Sequence, residues 1–283
     1  MRVLSLFNEE KRRRHFGSLI KKLSRIGKPI VPTTPVFVLG KQRSGTTMLF
    51  NYFESRPDTE TYNESNGRIF TDFQLHPLPQ VQELLSHSRA PFTVFKSICD
   101  SHRIQELFET FPNARIVWAQ RDCKDVANSS IRHFPPNWKT GLQIICNGES
   151  GGGWFVQGVS DSAAVRLREV YSDSLSPFEM SCLVWWARNQ IAVENKIDEH
   201  PQICMVQYED LVTQPAKSFE DLNSALGLPS YPQAYAHVHS RSVGRNEYPP
   251  IAEDIQLMCK ELQTTLQLMA KRSGSIDSDK VGR

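Results

Sequence analysis

Short apolar runs alternate with amphipathic stretches along most of the chain. The runs 36–39, 92–95, 115–119 and 203–206 have the length and the β-branched or aromatic character of strands. The predicted helices, in which apolar residues recur at helical spacing, are 46–55, 101–111, 122–133, 177–199, 216–226 and 251–271. Strands that alternate with helices indicate a parallel sheet. We therefore predict an α/β domain of three layers, with a central parallel sheet and helices on both faces.

One segment interrupts this alternation. Residues 134–176 contain two adjacent prolines, the glycines 151–153 and little periodicity. We interpret them as an inserted lid or acceptor region, within a domain that spans residues 33–271. The remaining parts are a basic N-terminal helical segment, 1–32, and a tail, 272–283, whose composition predicts disorder.

Positive charge is concentrated near the start of the chain. The net charge is +2, yet residues 11–28 hold eight basic residues and no acid. Such a segment is typical of a solvated helix face, which we favour, or of a basic helix in peripheral contact with anionic lipid or a polyanionic acceptor. No finger, zipper or RNA-recognition signature accompanies it, so nucleic acid is not an expected partner.

Composition excludes several classes of protein. With 283 residues, 39% of them hydrophobic, the chain can bury a full core. No run reaches the ~18 apolar residues of a membrane-spanning helix, and the first residues lack a signal peptide's apolar stretch. The six cysteines show no C-x-x-C spacing, and the eight histidines show no ligand spacing. We therefore expect a cytoplasmic protein with reduced thiols and no metal site.

The segment from Gly40 to Thr47 lies where a predicted strand ends and a helix begins. Unsatisfied backbone N–H groups and the helix dipole attract an oxyanion there, and glycines let the backbone close around it. The outline is P-loop-like, but Thr46 occupies the place of the lysine that reaches the β- and γ-phosphates of a nucleotide. An ATPase is therefore disfavoured, and Arg43 supplies a cation to the turn instead.

This turn, GKQRSGTT, resembles the 5′-phosphosulfate loop of sulfotransferases that depend on 3′-phosphoadenosine 5′-phosphosulfate (PAPS). Its arginine is most similar to the bacterial, tyrosyl-protein and carbohydrate branches. The resemblance implies a P-loop-like domain, PAPS as donor, 3′,5′-adenosine bisphosphate (PAP) as product and no metal. The loop residues that it implies for binding the cofactor are Arg43, Ser44, Gly45, Thr46 and Thr47.

Further signatures extend the resemblance along the chain. Arg121, at a strand end, precedes Ser129 on the next helix by eight residues, similar to the family's 3′-phosphate site. Arginine can grip a phosphate bidentately while the hydroxyl donates from the same side. Tyr208 begins a segment that resembles the family's Y-E-D-L block, whose tyrosine lies against the adenine. Ser242 and Arg245 resemble the loop that covers the cofactor.

Sulfuryl transfer to a hydroxyl needs a base, cations for the developing charge and in-line positioning. The resemblance places a catalytic glutamate shortly after the loop helix, where Glu64 stands, with Glu60 as the fallback base. Lys96 resembles the family's strand-end lysine, which faces cofactor and acceptor, and we assign it to catalysis with Arg43. Ile98 occupies the position of the small-molecule branch's catalytic histidine, so His102 ranks below Glu64 as the base.

Two other functions stay open at this point. One is a P-loop kinase that uses ATP and Mg²⁺, with Asp122 on the metal, although we interpret Asp122 as a helix cap. The other is a nucleotide-binding scaffold without catalysis. Trp185 and Trp186 fit a core, whereas Trp138 and Trp154 indicate a flat sugar or aromatic surface in the insertion. The acceptor, a small molecule, a carbohydrate or a peptide, and the oligomeric state are left open.

Overall fold

The computed structural model describes residues 21, 25–134, 138–236, 238 and 247–273. Its strands are β1 (Thr34–Gly40), β2 (Thr59–Tyr62), β3 (Phe70–Thr71), β4 (Gln74–Leu75), β5 (Phe92–Lys96), β6 (Arg115–Gln120) and β7 (Ile203–Gln207). Its α-helices are α1 (Thr46–Ser55), α2 (Leu78–Ser86), α3 (Ile104–Thr110), α4 (Cys123–His133), α5 (Trp138–Asn147), α6 (Asp161–Val170), α7 (Pro177–Glu194), α8 (Tyr208–Thr213), α9 (Pro215–Leu226) and α10 (Glu253–Ser273). Short 3₁₀ turns occupy Ile98–Asp100, Gly153–Phe155, Ile197–Glu199 and Pro232–Ala234.

A five-stranded sheet in the order β2-β5-β1-β6-β7 forms the centre of the described chain. Every neighbouring pair in it is parallel. The carboxyl ends of all five strands therefore lie at one edge, where loops from different parts of the sequence meet. The turn of residues 40–47 leaves β1, the central strand, at this edge.

The core lies on both faces of the sheet. Alternate residues of a strand point to opposite faces, so Phe37 and Leu39 of β1 pack on one side, and Val36 and Val38 on the other. The first side is covered mainly by α2 to α7 and α10, and the second by α1, α8 and α9. This arrangement confirms the predicted three-layer α/β fold.

The insertion contains more regular structure than we predicted. Residues 134–176 were expected to lack periodicity, but α5 and α6 lie within them. The buried positions of α5 are Trp138, Gly141, Leu142 and Ile145, which have helical spacing. The row includes a glycine, which a search for recurring apolar residues does not count, so the helix was not predicted. Glycine is needed at this position because the ring of Phe155 packs against Gly141 and leaves no room for a side chain.

The edge of the sheet was also incomplete in the prediction. Strand β2, with the polar sequence TETY, pairs with β5 through the register Thr59 to Phe92. Polar side chains are typical of an edge strand, and because of them β2 was not predicted from apolar runs in the sequence. Helix α2 and the β3–β4 hairpin were not predicted from the sequence either.

All six cysteines are free thiols. Across the described residues, no helix combines the length and apolar character needed to cross a membrane. Most of the basic segment 11–28 and most of the tail 272–283 lie outside the described residues.

Candidate functional site

The turn between β1 and α1 has the geometry of an anion cradle. Gly40 and Gly45 have positive φ angles of 120° and 90°, and Arg43 between them also has a positive φ, 73°. Helix α1 begins at Thr46 without a side-chain cap. The buried hydroxyl of Ser44 has no hydrogen-bond partner among the described residues. The turn therefore offers hydrogen-bond donors, the backbone N–H groups at the start of α1 and the Ser44 hydroxyl, to an anion.

Two arginines lie together beside this cradle. Arg121 at the end of β6 donates from Nη1 to the carbonyl oxygen of Arg43 at 3.4 Å. Arg43 Nε donates to Ser129 Oγ at 2.9 Å, and its Nη2 lies 3.3 Å from Nε2 of His133. Burial, and next the charge of Arg121, lower the pKa of Arg43. Two like charges in a half-buried place favour the binding of an anion between them.

The structure thus brings three sequence-predicted residues, Arg43, Arg121 and Ser129, into one cluster. The hydroxyl of Ser129 accepts from Arg43, so the residue expected to face the 3′-phosphate also contacts the turn of residues 40–47. Arg121 forms an ion pair with Asp125 one helical turn into α4, at 3.2 Å. The two predicted anion positions are therefore neighbours.

Tyr208 closes the side of the cradle. A Cβ placed on Gly45 would lie 2.5 Å from Cδ2 of Tyr208, so the ring packs directly on the glycine backbone. The guanidinium of Arg121 lies 4.2 Å from the centre of the same ring, within cation–π range. Tyr208, expected beside the adenine, is therefore part of the arginine cluster.

One residue that holds the backbone of Arg121 in place was not predicted from the sequence to belong to the site. The indole Nε1 of Trp185 donates to the carbonyl oxygen of Arg121 at 3.1 Å. Trp185 is a buried core residue, as predicted, and this hydrogen bond gives its polar edge a role in the site. The sequence offers no signal for the contact, because α7 and β6 are 64 residues apart at this point.

A second group of predicted residues meets at the end of β5. Lys96 is 8% exposed, and its Nζ donates to Glu64 Oε1 at 2.7 Å and to Thr47 Oγ1 at 3.2 Å. The second carboxylate oxygen of Glu64, Oε2, is buried and has no partner among the described residues. Because Thr47 belongs to the first turn of α1, this carboxylate lies next to the anion cradle.

The fallback bases lie elsewhere. Glu60 accepts from the hydroxyl of Tyr62 at 2.7 Å and from Ser88 Oγ at 3.2 Å, near the amino end of β5. His102 packs its Cβ against Gly158, and burial followed by the charge of Arg188 lowers its pKa to about 4. Glu64 is thus the candidate base that shares a lysine with the turn.

Asp122 caps a helix, as predicted. Its carboxylate accepts from the backbone N–H of Asp125 at 3.0 Å and from Gln263 Nε2 at 2.9 Å. In the part of the chain that the structure describes, no group of three or more His, Cys, Asp or Glu converges as a metal site requires. Ser242 and Arg245 lie outside the described residues.

The fold and the site define an α/β protein with a P-loop-like turn beside which two arginines lie. A family model described as the sulfotransferase domain matches residues 33–246, most of the chain. The chain therefore belongs to the sulfotransferase domain family, and its class of activity is sulfuryl transfer.

Several solved structures are similar to this chain at low sequence identity. The sulfotransferase domain from the curacin biosynthetic pathway is 15% identical, with a TM-score of 0.48 over 83% of this chain and 99% of that chain. The sulfotransferase domain of the Synechococcus PCC 7002 olefin synthase is 14% identical, with a TM-score of 0.49 over 83% and 97%. Mouse sulfotransferase SULT7A1, complexed with PAP, is 13% identical, with a TM-score of 0.45 over 87% and 86%. No curated protein matches the chain.

Proposed function

We propose that this sulfotransferase moves the sulfuryl group of PAPS to a hydroxyl or amine of an acceptor and leaves PAP. One observation carries the proposal: Arg43 and Arg121 lie against each other at a P-loop-like turn that lacks the P-loop lysine. A nucleotide with anionic groups on both its 3′ and its 5′ oxygen supplies two negative groups that complement this pair of cations. The acceptor is a small molecule, a carbohydrate or a peptide.

Each donor group has residues suited to hold it. The backbone of the turn, with Ser44, Thr46 and Thr47, would bind the 5′-phosphosulfate, because Gly45 opens the cradle and the hydroxyl of Ser44 is unpaired among the described residues. Arg121 and Ser129 would bind the 3′-phosphate. Tyr208, whose ring contacts Gly45 and the guanidinium of Arg121, would lie beside the adenine, as the resemblance implies.

Glu64 would act as the general base. It takes the proton from the acceptor hydroxyl or amine as the acceptor atom forms a bond to sulfur. The bond between sulfur and the bridging oxygen then breaks, and its electron pair stays on the 5′-phosphate. Lys96 and Arg43 stabilise the charge that develops on this oxygen. The 2.7 Å contact between Lys96 and Glu64 keeps base and cation together at the reacting centre.

Calorimetric titration with PAP and with ATP tests the donor. We expect PAP to bind without Mg²⁺ and ATP to bind weakly whether or not Mg²⁺ is present, because no lysine of this turn occupies the P-loop position. Magnesium-dependent binding of ATP, together with no binding of PAP, would show that the donor is wrong. Release of PAP from PAPS in the presence of an acceptor separates an enzyme from a binding scaffold.

Gly45→Ala should close the cradle. The added methyl would meet Tyr208 Cδ2 at 2.5 Å, and the φ of 90° is unfavourable for any residue but glycine. We expect the free turn to shift and relieve strain of about 1–3 kcal/mol, so that binding of PAP must restore it and the affinity falls by about 10- to 100-fold. The matched control is Gly67→Ala, because Gly67 has open space around it. Equal PAP affinity in both variants would contradict the cradle.

A further inference from the structure

Two buried cations lie next to the phosphate turn and have no part in the mechanism above. Lys41, inside the turn, is fully buried, and Arg188 of α7 is 2% exposed. Within the described residues, neither side chain forms an ion pair with a carboxylate. A buried charge is costly unless a partner of opposite sign accompanies it.

The polar contacts of both cations are neutral. Lys41 Nζ donates to Gln42 Oε1 at 3.3 Å and lies 5.1 Å from the ring centre of Trp138. Arg188 Nη1 donates to the carbonyl oxygens of Trp154 and Gln157, at 3.1 and 2.7 Å. Its other terminal nitrogen, Nη2, is buried and has no hydrogen-bond partner in the described chain. The guanidinium therefore retains an unused donor.

The two cations belong to one cluster. Burial, and next the charge of Arg188, lower the pKa of Lys41 to about 7. The rings that flank them form a continuous row: Trp138 lies 5.7 Å from Phe155, and Phe155 lies 5.9 Å from Trp154. This row belongs to the insertion, so the insertion covers the pair.

The cluster borders the proposed base. Gln42, the partner of Lys41, donates from Nε2 to Cys99 Sγ at 3.7 Å. The charges of Arg188, Asp100, Glu64 and Lys41 all act on the Cys99 thiol, so the two cations share this neighbour with the carboxylates of Asp100 and Glu64. Burial raises the pKa of Cys99 to about 12, so its thiol is neutral. Asp100 also acts on Arg188, but its carboxylate is ion-paired with Arg103 at 3.0 Å.

We propose that Lys41 and Arg188 form a subsite for an anionic group of the acceptor, and that the acceptor is a hydroxyl or amine compound with a carboxylate, sulfate or phosphate. An oxyanion group would satisfy the free donor of Arg188 and compensate both charges. The rings of Trp138, Phe155 and Trp154 would flank the body of the acceptor. This inference rests on the proposed function, because it assigns the acceptor that Glu64 activates.

The experiment compares two acceptors of nearly the same shape. 4-Hydroxyphenylacetate carries a carboxylate, and 4-hydroxyphenylacetamide carries a neutral amide in its place. Binding of each to the PAP-loaded wild-type protein is measured by calorimetry, and transfer from PAPS is measured as kcat/KM. We expect the carboxylate to bind about 10-fold or more tightly than the amide, the value of one charged hydrogen bond. Equal binding, or no binding of either compound, would overturn the proposal.

Two variants assign the preference to the buried cations. Lys41→Met and Arg188→Met should each reduce the carboxylate preference towards one, while Lys139→Met, at a half-buried lysine paired with Asp173, should keep it. Thermal melting of each variant checks that it is folded, because Arg188→Met leaves the carbonyl oxygens of Trp154 and Gln157 without their donor. A preference that survives in both variants overturns the proposal, as does a raised KM for PAPS with the acceptor preference intact. Failure of wild-type protein to bind PAP would instead refute the proposed function.

The nature of the anion is resolved with the same variants. 4-Hydroxyphenyl phosphate and 4-hydroxyphenyl sulfate are compared with the carboxylate under the same conditions. Affinity for at least one of them that depends on both Lys41 and Arg188 supports the subsite. Affinity for all three that is independent of both residues would show that these anions bind at the donor cradle and would refute the subsite.

Discussion

Glu64→Gln is expected to lower the rate of sulfuryl transfer by about 100- to 10,000-fold, the usual contribution of a general base. The substitution keeps the shape of the side chain and removes the oxygen that can take a proton. Glu64 Oε2 is buried and unpaired among the described residues, so its proton-accepting capacity is not used within that part of the protein. The affinity for PAP should stay unchanged, because the carboxylate faces Lys96 and not the arginines. Single-turnover transfer from PAPS, with PAP affinity by calorimetry, measures both.

The effect of Glu64→Gln on the base must be separated from an effect on Lys96, the lysine that contacts Glu64. Lys96 donates to Glu64 and to Thr47, so the variant could also act by moving the lysine. Glutamine still offers an amide oxygen to Lys96, and Thr47 remains in place. Glu83→Gln, an exposed carboxylate on α2, is the matched control and should transfer at the wild-type rate. Loss of transfer in Glu60→Gln together with normal transfer in Glu64→Gln would assign the base to Glu60.

The turn and its cations could be predicted from the sequence because local rules determine them. A buried strand, a turn with two glycines and a helix start favour anion binding when they occur in this order. The positions of Arg43 and Arg121 follow, since both come at carboxyl ends of parallel strands that lie at one edge of the sheet. Lys96 and Glu64 meet for the same reason, although the 2.7 Å contact itself depends on the unpredicted strand β2.

What could not be predicted depends on contacts between distant segments. Lys41 stands at an unremarkable position of the loop sequence, and only its tertiary neighbours, Arg188 and Trp138, make it a buried cation. Trp185 fits a helical core pattern, and its hydrogen bond to Arg121 requires α7 to pack across the end of β6. Helical periodicity says which face of α7 is buried, but not which polar atom that face meets.

Arg121→Met is expected to lower the affinity for PAP by about 10- to 100-fold, because a charged hydrogen bond contributes about 1.5–3 kcal/mol. Methionine keeps an unbranched side chain beside the ring of Tyr208, which the guanidinium now contacts at 4.2 Å. Asp125 loses its ion pair but keeps the hydroxyl of Tyr248 at 2.7 Å, so the site should stay folded. Calorimetric titration with PAP, and thermal melting as a check on folding, measure the two effects.

A second ligand assigns this loss to one end of the nucleotide. 5′-AMP lacks the 3′-phosphate, so its weaker binding should hardly change in Arg121→Met, whereas Gly45→Ala should weaken both ligands. Arg121→Lys should recover part of the PAP affinity, because it restores the charge without the planar fork that holds a phosphate at two points. If Arg121→Met weakened AMP and PAP by the same factor, Arg121 would serve the 5′ end or the adenine. The 3′-phosphate would then need another cation, and the resemblance that placed Arg121 there would be wrong at this residue.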